Sequence, residues 1–330
     1  MHKFFSQLLG ISALLCAWPV FATQTVLVIE SYHAEYAWDI SYRKGIESVL
    51  KEGYQLEYFQ MDTKRLPINR HRSRAEMAWQ HHLDIKPDLV ILGDDNALRY
   101  LGKRFAKSRL PVVYLGINNN PRAYHVHKRK NITGVLERPL IKRSVSNIAE
   151  LVSPAPKRIL VMLDDSVTAK NVLQETFSGE TEIRISGIDV QLKLIKSWSE
   201  WQNTVLTLQD EGFDAVAFGL YHTLRDDSNK HVDAEQVIAW SSENTAIPPF
   251  GFWEFAVGKN KTIGGMVLFG FEQGRLAAEM AHTILTTDVV PRSLGPKTAD
   301  KGRYLFSRSQ LERYNITLPQ NIADKATYVD

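Results

Sequence analysis

The sequence predicts an α/β protein built as two doubly wound parallel-sheet lobes. Three observations lead there. Short β-branched runs alternate with segments of helical apolar spacing, the pattern of a parallel sheet covered on both faces. That alternation occupies the first part of the chain and restarts after Pro139. The length, 330 residues, exceeds the roughly 250–300 at which a single core stops growing.

The elements follow in order. Thr25-Val26-Leu27-Val28-Ile29 is a β-branched run suited to a strand buried on both faces. After a polar loop from Glu30 to Tyr36, Ile40, Ile46, Val49 and Leu50 recur at helical spacing. A strand at 56–59, a helix at 72–83, a strand at 88–92, a helix at 97–105 and a strand at 111–115 continue the alternation, which closes near 133–136. The second run has a helix at 141–151, then a strand at 158–163 after Pro154 and Pro156. A helix at 172–177, a strand at 190–195, an amphipathic helix at 199–211, a strand at 214–218 and a helix at 234–244 come next. Residues 248–251 and 266–269 are expected as the last two inner strands.

Lys and Arg number 40 against 37 Asp and Glu, for a net charge of +3. So small an excess suggests no polyanionic partner, and nucleic acid is not expected as one. The single cysteine, Cys16, falls in a segment laid out as an export signal. His2 and Lys3 precede an uncharged apolar stretch, Pro19 breaks it, and Val20-Phe21-Ala22 supplies small residues for cleavage. Leu15 before Cys16 disfavours a lipid anchor. Cleavage after Ala22 would deliver a cysteine-free protein to the periplasm.

Ligands of open parallel sheets bind beyond the carboxyl ends of the strands. There the chain supplies Ser31, Tyr32 and Trp38, then Asp94, Asn118 and Glu137, and in the second run Asp164, Tyr221, Trp253 and Glu254. Aromatic faces among carboxylates, amides and hydroxyls suit a small polar molecule. Asp95 and Ser166 are expected to cap helices, and Trp198 and Trp201 to serve packing. The pairs His81-His82 and His125 with His127 are expected on solvated surface, not on a metal. The chain has no GxGxxG after its first strand, no GxxxxGK[ST] and no GxSxG. No catalytic residue, metal or cofactor is therefore assigned, and the expectation is a binding protein and not an enzyme. An exported hydrolase using Asp94 or Glu254 is the one catalytic alternative.

Gly264 to Ala281, continuing to Ile284-Leu285, contains the run Gly274-Arg275-Leu276-Ala277-Ala278-Glu279-Met280-Ala281. With Asn131-Ile132-Thr133-Gly134-Val135 and the closing Tyr304-Leu305-Phe306-Ser307 to Leu318-Pro319, it resembles the ABC-transporter substrate-binding proteins of the periplasmic type I class. The branch it is similar to includes tryptophan- and other amino-acid-binding relatives. The resemblance implies a three-crossing hinge, near Glu137, Gly270 and Thr298, between lobes at 23–137 plus 271–298 and at 138–270 plus 299–330. It further implies a monomer that closes on a small-molecule ligand and presents the closed form to a membrane permease. A subset of similar chains serves a membrane sensor kinase or cyclase instead. The long aromatic loop 30–38 departs from the family's small-residue loop, and specificity resides in such loops. Asp94, Glu137, Asp164 and Glu254 together predict an acidic cleft, which favours an amino acid or amine over a sugar.

Overall fold

The computed structural model describes residues 23–299 and 302–330. The expected export signal, 1–22, lies outside the described residues. The first sheet is assembled from β1 (Gln24–Glu30), α1 (Ala37–Leu50), β2 (Tyr54–Gln60), α2 (Ile68–Ile85), β3 (Leu89–Gly93), α3 (Asp94–Phe105), β4 (Val112–Ile117) and β5 (Ile132–Leu136). Its strands run parallel in the order β2-β1-β3-β4-β5. Val26 to Ile29 are fully buried because β1 has a paired strand on each side and helices on both faces.

The second sheet is built from α4 (Ile141–Leu151), β6 (Arg158–Asp164), α5 (Val167–Phe177), β7 (Glu182–Ile185), β8 (Ile188–Ile195), α6 (Trp198–Thr207), β9 (Ala215–Phe218), α7 (Ala234–Asn244) and β10 (Pro249–Gly251). Its order is β7-β8-β6-β9-β10, parallel except for β7. β7, which the sequence pattern did not reveal, joins β8 through Ser186 and Gly187, both at positive φ (50° and 85°) as a tight hairpin turn requires.

The remaining elements are β11 (Gly264–Val267), α8 (Gly270–Thr286), β12 (Lys297–Thr298), β13 (Arg303–Phe306), α9 (Arg308–Arg313), α10 (Gln320–Ala323) and β14 (Thr327–Tyr328). The expectation of an inner strand at 266–269 is corrected here. β11 leaves the second sheet and pairs antiparallel with β13 in a separate three-stranded sheet with β14. Gly264 and Gly265, at φ 104° and 133°, turn the chain away through backbone angles that side chains rarely adopt. α8 then crosses back to pack on α1. Gly45 and Gly274 make that crossing close, since a Cβ on either would overlap the other helix's backbone. β12 pairs with β5 at the edge of the first sheet. The chain thus passes between the sheets after β5, after β11 and after β12.

Both sheets reverse winding direction beside their first strand, between β1 and β3 in one and between β6 and β9 in the other. Such switch points open a crevice at the carboxyl ends of the strands, and here the two crevices face each other. Among the described residues, no helix is long and apolar enough to cross a membrane.

Candidate functional site

At the first switch point, Ser31 Oγ donates to the Gly93 carbonyl at 2.6 Å and accepts from the Ala97 amide at 2.8 Å. This ties the end of β1 to the start of α3. The next residue of that start, Asp94, is a non-glycine residue at φ 67°, 2 % exposed, with Oδ2 left without a hydrogen-bond partner. Positions of this kind persist where the surrounding structure over-determines them. Burial, and then the charges of Glu137 and Asp95, push the Asp94 carboxyl well above the usual carboxylate range; Lys64 and the Trp38 hydrogen bond oppose them.

Asp94 lines a small gap between the lobes. The first lobe contributes Tyr32, Tyr36, Trp38, Lys64 and Glu137, and the second Thr168, Leu220, Trp253 and Phe255. Glu137 accepts from the Trp253 indole Nε1 at 2.7 Å and from Asn118 Nδ2 at 3.0 Å. Burial nevertheless raises its carboxyl to about 7, with those two hydrogen bonds pulling the other way. The Tyr32 hydroxyl lies 3.3 Å from Thr168 Oγ1, a polar contact from lobe to lobe. Lys64 is 3 % exposed, its Nζ 4.6 Å from the Tyr32 ring centroid and 5.3 Å from that of Tyr36. The gap holds only ≈ 10 Å³, about one water. At Tyr32, Lys64 and Thr168 it meets a wider interlobe cleft of ≈ 630 Å³, a volume within the roughly 300–1,000 Å³ of small-molecule sites.

Of the ten sequence-predicted residues, Tyr32, Trp38, Asp94, Glu137 and Trp253 meet around this gap, and Asn118 holds Glu137 from behind. The other four lie elsewhere. Ser31 is consumed by its two backbone bonds. Asp164 accepts from the amides of Ser166 at 3.3 Å and Thr223 at 3.1 Å, joining two loops of its own lobe. Tyr221 stacks on His222 at 4.3 Å. Glu254 Oε1 accepts from the Gly270 amide at 2.9 Å, at the start of α8. The expected acidic cleft is corrected accordingly: two of its four carboxylates serve backbone amides, and a buried lysine stands beside the other two.

Asp95 does not cap its own helix. It accepts from the Asn118 and Asn119 amides, both at 3.2 Å, and from the Tyr124 hydroxyl at 2.8 Å. Ser166 does cap α5, accepting from the Ala169 amide at 3.2 Å. Trp201 is fully buried and donates to Ser241 Oγ at 2.8 Å. His81 and His82 are half-buried against Phe59 and Trp79, with centroids 5.5 and 4.6 Å apart, and not on open surface. Tyr36 and Thr168, which also follow strands, complete the gap together with Lys64 and Phe255, which the sequence did not single out. Lys64 follows β2 and so stands where the strand-end rule applies.

Two parallel-sheet lobes with facing switch points, three chain crossings and a polar, aromatic gap between them define the type I periplasmic-binding-protein fold. Solved structures bear this out across nearly the whole chain. The chain is similar to the ABC domain in complex with L-Trp from Streptococcus pneumonia, with TM-score 0.68 and 16 % identity over 94 % of this chain and 100 % of that one. It is similar to the ligand-free, open structure of a substrate-binding protein with adhesive properties from Clostridium difficile, with TM-score 0.60 and 17 % identity over 94 % and 99 %. A carbohydrate transporter from Acidothermus cellulolyticus in complex with myo-inositol shares TM-score 0.53 and 14 % identity over 85 % and 93 %. No protein-family model and no curated protein matches the sequence.

Proposed function

We propose that the chain is an exported solute-binding protein that captures an amino acid or related amine between its lobes and presents the closed form to a membrane permease. The observation that carries this reading is Asp94: buried, strained, with one oxygen unpartnered, and facing a gap walled by Trp38 and Trp253. An ammonium group would supply the missing partner, and the indoles would add cation–π or stacking attraction. Lys64, in the same wall, offers a donor for a carboxylate or hydroxyl of the same ligand. The L-Trp complex of a similar fold supports the amino-acid side of this reading.

The two bodies, 23–137 with 271–298 and 138–270 with 299–330, turn about the three crossings. Ligand enters the open cleft, contacts one lobe and stabilises closure by contacting both, so differential affinity sets the closed population. A sensor kinase or cyclase ectodomain is the alternative reader of the same closed form.

A thermal-shift screen of the purified protein against amino acids, amines, sugars and nucleosides tests the reading, because a ligand that binds only the folded state raises its apparent stability. Amino acids or amines should raise the melting temperature, and Asp94→Asn should remove the shift. A shift with a neutral sugar and none with amines would sink the ligand class. Turnover of a test compound that depends on Asp94 would sink the non-enzymatic reading.

A further inference from the structure

Between Asn96 and Leu136 the chain carries nine Lys and Arg and no Asp or Glu. All nine side chains are exposed. Their excess disappears in the overall net charge of +3, but the fold brings several of them to one flank of the first lobe, where Arg122 and Lys128 share a groove with Arg138 and Arg292. Lys103 projects from α3 and Lys107 from the turn that follows it, and Lys128 and Lys130 lie in the segment fastened to the end of that helix. That segment is fastened to α3 by Asn131 Nδ2, which donates to the Phe105 and Leu110 carbonyls at 3.0 and 2.7 Å. Exposed Arg292 joins the same face, its amide donating to the Lys130 carbonyl at 3.2 Å. Among the described residues, Arg104 with Glu76, at 2.7 Å, is the one ion pair these nine make.

A groove of ≈ 560 Å³ crosses this flank, lined by Arg122, His127, Lys128, Arg138 and Arg292 and by no acidic side chain. Tyr114, 2 % exposed, contributes to its wall. Arg138 is held in place as its Nη1 donates to the carbonyls of Ile117, Asn118 and Glu137 at 2.9, 3.1 and 2.7 Å. Of the large exposed apolar side chains, Ile68, Met77 and Leu206 line no part of this groove, and a single one, Val290, lies near Arg292. A protein partner is ordinarily gripped by an apolar or aromatic centre inside a polar rim, and this face has the charge without the centre. A broad layer of phosphates fits it better.

We infer that this flank is a docking surface for an anionic phospholipid bilayer, with a headgroup phosphate seated in the groove and the surrounding lysines and arginines facing neighbouring headgroups. Membrane attraction of this kind accumulates over basic side chains and is screened by salt. It would hold the protein beside the bilayer in which a membrane partner resides, independently of what the cleft binds.

Vesicle flotation of the purified protein tests this. Vesicles of equal parts phosphatidylglycerol and phosphatidylcholine should carry the protein at low salt and release it at high salt, while pure phosphatidylcholine vesicles should not carry it. The triple variant Lys128→Glu, Arg129→Glu, Lys130→Glu should bind at least about tenfold more weakly. The variant Lys157→Glu, Lys230→Glu, Lys325→Glu, which reverses three exposed lysines outside this flank, should lose much less. Unchanged melting temperatures would establish that both variants fold. Equal losses in the two triple variants, or equal binding to neutral vesicles, would overturn the proposal. So would retention on inorganic phosphate or duplex DNA without flotation.

Discussion

The Trp253 indole N–H donates a 2.7 Å hydrogen bond to Glu137 Oε1. Each residue is 2 % exposed, and the bond joins the second lobe to the first crossing between them. Trp253→Phe keeps most of the ring but leaves the buried carboxylate short of a donor, at an expected cost of about 1–3 kcal/mol. Trp253→Ala adds a cavity and should cost about 3–5 kcal/mol. Denaturant unfolding of both variants separates the terms. A Phe variant as stable as wild type would show that the hydrogen bond contributes nothing net.

Asp94→Asn preserves shape and suits the left-handed backbone, which asparagine tolerates better than most residues. It leaves no carboxyl for a cationic ligand to draw into the charged form. Affinity for whichever amine or amino acid raises the melting temperature should fall by about 10–100-fold, the size of a lost charge-assisted hydrogen bond. Calorimetric titration measures it. The unliganded protein should be no less stable, because a neutral amide avoids the burial and the Glu137 and Asp95 charges that disfavour a carboxylate here; a marked loss of stability would reassign Asp94 to a structural role.

Glu137 gives a pH dependence of definite sign. Burial raises its carboxyl to about 7, whereas an unfolded glutamate titrates near about 4.3. Between those values the folded chain holds a proton that the unfolded chain has released. The Glu137 contribution to stability therefore falls as pH rises through that window and is flat above about 7. Glu137→Gln should remove this slope, a difference of ~3 kcal/mol or less between pH 5 and 8. Denaturation midpoints of wild type and variant across that range check it, and parallel profiles would refute it.

Tyr32 and Thr168 meet across the cleft at 3.3 Å. Tyr32→Phe deletes the hydroxyl and should shift the unliganded protein toward the open form by about 0.5–1.5 kcal/mol, roughly two- to tenfold in population. Small-angle scattering should report a larger radius of gyration for the variant, and the same radius once a saturating ligand is added.

Ser31→Ala should separate support from contact. Its hydroxyl makes two buried backbone bonds and lines no part of the gap. The variant should lose about 1–3 kcal/mol of stability while its ligand affinity stays within about twofold, a change of less than 1 kcal/mol. A larger change in affinity would place Ser31 in the site.

The strand-end rule picked out the lining of the interlobe gap unevenly. It found Asp94 and Trp253 because each follows a strand that ends at the cleft. Asp164 and Glu254 satisfied the same rule and are engaged by backbone amides instead. No local pattern separates the two cases, since the amides of Thr223 and Gly270 come from distant parts of the chain. Residues 266–269 read as an inner strand by composition, yet the glycines before Met266 turn that segment out of the sheet. β7 is short and polar, and its strand character comes from pairing with β8.

The sequence by itself determined two β/α lobes and the loops that meet between them, because hydrophobic periodicity is local and survives without coordinates. It also determined the near-neutral total charge. Only the tertiary structure decided which polar side chains stay free, because buried hydrogen bonds are allotted by groups that folding brings together. That is how Asp94 kept an unpartnered oxygen while Asp164 did not, how Lys64 entered the gap, and how an almost balanced chain gained a groove with basic and no acidic side chains in its lining.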